Sequence, residues 1–69
     1  MKINPNDIKI GLKLLSYDME DHKWYKAEII GIDEGIITMK DIDDKSDWQG
    51  MIWETNSVDI FDITLYKTL

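Results

Sequence analysis

The sequence predicts an all-β domain of roughly five short strands, and three observations carry that expectation. Ile8, Ile10, Leu12 and Leu14 recur at every second position with Lys9, Gly11 and Lys13 between them, which is the period of a half-buried strand. Asp33, Glu34 and Gly35 separate two runs rich in isoleucine, as a tight hairpin turn does. No segment repeats apolar residues at the three-and-four spacing of an amphipathic helix.

Each element follows in order. Asn4, Pro5, Asn6 and Asp7 cluster turn residues, so residues 1–7 read as an N-terminal turn segment and residues 8–69 as a single domain. The first strand covers Ile8 to Leu14, and the polar stretch from Tyr17 to Lys23, with Asp18, Glu20, Asp21 and His22, reads as a loop. A second strand runs from Trp24 to Ile32, with Tyr25, Ala27 and Ile29 on one face and Trp24, Lys26, Glu28 and Ile30 on the other. Ile36 to Met39 form the third, paired antiparallel with the second through the glycine turn. Asp41 to Asp47 is an acidic loop with four Asp and one Lys. A fourth strand spans Trp48 to Thr55, with Gly50 marking a bulge or bend. After Asn56 and Ser57, the residues Val58, Ile60, Ile63 and Leu65 supply a short last strand, or a turn of 3₁₀ helix leading into one.

Composition narrows the classes. The 69 residues are 43% hydrophobic and 32% charged, a globular balance in which one hydrophobic core is the limit for the length. There is no cysteine, which excludes a disulfide framework, a thiolate zinc site and a thiol nucleophile. No apolar run is long enough to cross a bilayer as a helix and no basic segment precedes an apolar one, so the expected location is cytoplasmic with no membrane contact. Acidic side chains number 14 against 8 basic ones, all lysine, for a formal charge of −6. Direct nucleic-acid binding is disfavoured by that field and by the lack of arginine, although Lys9, Lys13, Lys23 and Lys26 offer a local patch.

Five strands in so short a chain leave one face and two edges to cover, and curling the meander into a small barrel covers them. An SH3-like barrel is the expected architecture, with an OB-type barrel second because it normally needs a longer chain. The run Trp24, Tyr25, Lys26, Ala27, Glu28, Ile29 after the acidic Asp18 to Asp21 loop resembles the second strand of Tudor and agenet-type modules. Ile10, Gly11, Leu12, Lys13 and Leu14 are similar to their first strand, and the aspartate-rich loop before Trp48 to the acidic stretch ahead of their fourth. The resemblance spans about residues 8 to 65 and implies a Tudor-like barrel. It also implies an aromatic cage for a methylated lysine or arginine, built here from Tyr17, Trp24, Trp48 and Trp53 with Asp18 or Asp44 as the anion.

Other chemistry finds little support. Asp41, Asp43 and Asp47 have partial calcium-loop spacing, but Lys45 and Ile52 stand where ligands are required. A looser divalent site at Asp43, Asp44 and Asp47 is outweighed by a hydrated loop, so no metal or cofactor is expected. His22 is the sole imidazole and no nucleophile motif accompanies it, so no catalytic residue is assigned. Three Trp, three Tyr and one Phe exceed what so small an interior holds, so some rings must face outward amid negative charge. The expected function is therefore a non-catalytic acidic interaction protein that docks on a basic partner protein, such as a nucleic-acid enzyme that it would inhibit. Trp24 and Trp48 are the expected anchors, flanked by Tyr17, and Asp43, Asp44 and Asp47 the steering rim. An exposed edge strand with surface Trp also permits a homodimer. Abundant Ile, Lys and Asp without Arg is a composition common in phages and low-GC bacteria, which favours the inhibitor over a chromatin reader.

Overall fold

A computed structural model describes residues 2–69. The strands are β1 (Lys13–Asp18), β2 (Lys23–Asp33), β3 (Ile36–Asp41), β4 (Ile52–Asn56) and β5 (Tyr66–Thr68), with single turns of 3₁₀ helix at Pro5–Asp7 and Asp59–Phe61. All pairings are antiparallel and build one five-stranded sheet in the order β4-β3-β2-β1-β5. The sheet is open: no ladder joins β4 to β5, which lie at its two edges. A side-chain bond spans those edges instead, the Trp53 indole N–H donating to the Tyr66 hydroxyl at 3.0 Å.

The β2–β3 hairpin forms as the glycine signal requires. Glu34 and Gly35 both take positive φ, 48° and 81°, the geometry of a two-residue turn whose twist matches its strands. A bulge between Ile29 and Gly31 then shifts the register, so that Ile29 faces Met39 but Gly31 faces Thr38.

The first strand lies later than the alternation predicts. Asn4 caps the Pro5–Asp7 turn, Leu12 N–H returns to the Lys9 carbonyl, and Gly11 sits at φ +97°, so residues 5–12 bend and Ile10 is exposed. Ile8 and Leu12 still pack on the core, which is why the spacing mimicked a strand. Tyr17 and Asp18, expected in the loop, extend β1, and Lys23 opens β2. The fourth strand is likewise shorter than Trp48 to Thr55. Met51 C=O accepts from Asp41 N–H and Asp41 C=O from Gly50 N–H, which closes residues 42–51 into a loop and sets Gly50, at φ +89°, and Met51 together opposite Asp41, a glycine bulge where one was expected.

The buried core is Ile3, Leu14, Ala27, Ile29, Ile37, Met39, Ile60 and Tyr66. Ile3 belongs to the segment that the sequence reading set ahead of residue 8, yet it is sealed with the rest. Each large member contributes about 1.5–3 kcal/mol by leaving water. The Asp59–Phe61 turn delivers Ile60 between the two edges, and Asn56 fixes it by accepting Val58 and Asp59 N–H on Oδ1. Among the described residues, no helix is long and apolar enough to cross a membrane.

Candidate functional site

Alternation along paired strands decides which rings meet. Leu14 and Ala27 face each other in the core, so Ser16 and Tyr25, two pairs further along, continue the same face beyond it. Met39 faces Trp53 and Ser16 faces Tyr66 on the neighbouring ladders. The core face therefore runs out, past its sealed aliphatic residues, into a patch of aromatic rings. Over that patch lies a groove of about 390 Å³ whose walls include Tyr17, Tyr25, Trp48, Trp53 and Tyr66. Met19 and Met51 add flexible apolar surface, and Asp18, Glu20 and Asp41 bring carboxylates to the same space, with Lys26 also on its border.

Two loops wall the groove. On the β1–β2 side, Asp18 Oδ1 accepts Glu20 and Asp21 N–H at 2.8 and 3.1 Å, an Asx turn that bends the chain back. Tyr17 hydroxyl and His22 Nδ1 are hydrogen-bonded at 3.2 Å, and the Tyr25 hydroxyl donates to Asp21 Oδ2 at 2.9 Å. That bond, then desolvation, then the negative charges of Asp21, Asp18 and Asp47 push the Tyr25 phenol up to about 12. The acidic field of both loops thus converges on one ring of the groove.

The β3–β4 side is held from inside. Asp41 is buried, accepting the Ser46 hydroxyl on Oδ2 at 2.6 Å and Asp43 N–H on Oδ1 at 2.9 Å. Ser46 Oγ in turn accepts Trp48 N–H at 3.0 Å, so a buried carboxylate fixes the backbone that carries the most exposed ring of the groove, 47% accessible. Asp43 is buried too, with Oδ2 accepting Lys26 N–H and Oδ1 accepting Lys45 N–H, both at 2.9 Å. Those two amides hold its carboxyl below the usual range, against the opposing effect of desolvation and with help from the Lys26 and Lys45 charges.

The expected site residues therefore separate. Trp48 and Tyr17 border the groove. Trp24 does not: its strand position points it to the opposite face, where it meets the Tyr17 ring edge-on at 5.2 Å and Lys67 Nζ lies 4.2 Å from its ring centre. Asp44 and Asp47 are exposed as a rim requires, whereas Asp43 is corrected from a steering charge to a staple, because both of its oxygens are engaged by backbone amides. Of the four rings proposed for a cage, Trp48 and Trp53 share the groove, Tyr17 borders it but packs its ring on Trp24, and Trp24 is absent from it. The sequence reading missed Tyr66, Met19, Met51 and Asp41. Tyr25 was legible as sharing the face of Ala27 and Ile29, but not as lining a groove. Among the described residues, no group of three or more His, Asp or Glu side chains is arranged to hold a metal ion.

Comparison with known protein families, curated proteins and solved structures finds no match to this chain.

Proposed function

We propose that this chain is a non-catalytic interaction module whose groove receives a lysine-bearing segment of a basic partner protein. The convergence of four aromatic rings, Tyr25, Trp48, Trp53 and Tyr66, with Asp18, Glu20 and Asp41 in one groove is the observation that carries it. Ring faces attract an ammonium group and take up the aliphatic stem beneath it, while exposed Asp44 and Asp47 raise the encounter rate of a basic partner. Trp48 replaces the pair Trp24 and Trp48 as anchor. A basic nucleic-acid enzyme inhibited by occlusion of its binding surface remains the partner type that this chemistry suits, and the cytoplasm the compartment.

The same proposal includes the architecture. Strand order β4-β3-β2-β1-β5, a 3₁₀ turn ahead of the last strand and the Trp53–Tyr66 bond between the edges support curling into an SH3-like barrel.

The test is a tryptophan-fluorescence titration with a lysine-rich peptide at low and high salt. Binding that weakens with salt is expected, with Trp48→Ala costing about 2 kcal/mol and Trp24→Ala much less. Equal losses from the two variants would refute the groove as the docking surface. A second reading, a methylated-cation cage, is favoured by one observation: Trp48 and Trp53 border the groove together with Asp18. It predicts a response to trimethyl-lysine peptide and none to its unmodified form.

A further inference from the structure

We propose that Met19 and Met51 form an oxidant-sensitive gate on the groove, a point of regulation that rests on the docking reading above. Met19 sits in the β1–β2 turn and Met51 at the end of the β3–β4 loop, so each of the two loops contributes one thioether to the groove walls. Their exposures are 66% and 51%, whereas Met39 in the core is at 0%. With no cysteine in the chain, thioethers are the only sulfur that a peroxide meets.

The step is a two-electron oxygen transfer from a peroxide oxidant. The methionine sulfur attacks the peroxide, an S–O bond forms as the O–O bond breaks, the thioether is oxidised to a sulfoxide and hydrogen peroxide is reduced to water. The product differs from the reactant where docking depends on it. A thioether is apolar, flexible and favourable against aromatic rings, but a sulfoxide is polar and hydrated and must shed water before an aliphatic stem can pack there. Because the change falls on both walls and spares Met39, it alters the groove while leaving the core packing intact.

The experiment treats the full chain with dilute hydrogen peroxide and follows three readouts. Mass spectrometry of digests should find one added oxygen at Met19 and at Met51 while Met39 is unmodified. Trp48 borders the same groove, so tryptophan emission should shift. Octalysine affinity should fall about tenfold and recover after enzymatic reduction of the sulfoxides. The variant M19L/M51L should keep its own starting affinity through the same treatment. The inference is overturned if Met39 oxidises in step with the other two, if emission is unchanged, or if M19L/M51L loses affinity as the parent does. Failure of the untreated chain to bind octalysine sinks the docking reading instead, and the digest and the emission still decide whether the groove methionines are the reactive pair.

Discussion

The two loops that wall the groove are both acidic, yet they handle their carboxylates in opposite ways. The β1–β2 turn keeps Glu20 and Asp21 in water and closes on hydrogen bonds at the surface. The β3–β4 side buries Asp41 and Asp43 and turns them into acceptors for backbone amides of the loop and of β2 and for the Ser46 hydroxyl. A buried carboxylate is tolerated only when its lone pairs are matched, and each of these has two donors. The lesson is that a run of aspartates can be a scaffold and a field at once. Asp41 and Asp43 shape the wall, while Asp44 and Asp47, one and four residues past Asp43, stay exposed.

The largest expected difference between the loops comes from removing the staple. Asp41→Ala would leave the Ser46 hydroxyl and the Asp43 N–H without their acceptor in a buried place, at about 3 kcal/mol of stability. Asp18→Ala removes an acceptor whose donors can turn to water, and should cost about 1 kcal/mol or less. Urea unfolding of the two variants measures the gap, and equal costs would mean that the β3–β4 loop is no more internally held than the β1–β2 turn.

How far these features were legible in the sequence follows from the same contrast. The Glu34–Gly35 turn was, because a left-handed pair in a hairpin leaves a residue signature. The exposed rim was, because charge count alone forces most carboxylates outward. The staple was not: an aspartate hydrated in a loop and one bonded to two amides look identical in composition. The first strand was displaced because Ile8 packs on the core from a bent segment, while Gly11 at φ +97° kinks the chain where Gly11 and Leu12 still bond Ile29, so the alternation outruns the regular ladder. Trp24 and Tyr25 show the limit most plainly. They are adjacent, so they occupy opposite faces of β2, and only the register with β1 and the extent of the core tell which face opens into the groove.

Acid sharpens the comparison next. The Asp43 carboxyl is held below its ordinary 3.8 by the Lys26 and Lys45 amides, so it binds a proton less readily folded than unfolded. Its contribution to stability is therefore present above the unfolded value and is lost as pH falls through the depressed folded one. Acid titration followed by amide NMR should show the Lys26 and Lys45 signals moving together below pH 3.8, and Asp43→Asn should remove that transition. Concerted movement of Glu20 and Asp21 amides at the same point would show that the loops share one acid response.

Base tests the other wall, with the smallest effect. Tyr25 is raised to about 12 chiefly because its hydroxyl donates to Asp21, and a phenolate there would face the same carboxylate as an ion of like sign. A group raised in the folded state contributes stability that is complete below the unfolded value of 10.0 and is lost as pH climbs through the folded one. Ultraviolet titration should therefore find Tyr25 ionising well above 10.0, with a slight loss of stability accompanying it. Asp21→Asn should bring the phenol back toward 10.0 while leaving the acid transition of Asp43 in place. If that substitution left the phenol at about 12, desolvation and the more distant Asp18 and Asp47 would be its cause, and the β1–β2 wall would owe its field to the whole rim rather than to one surface hydrogen bond.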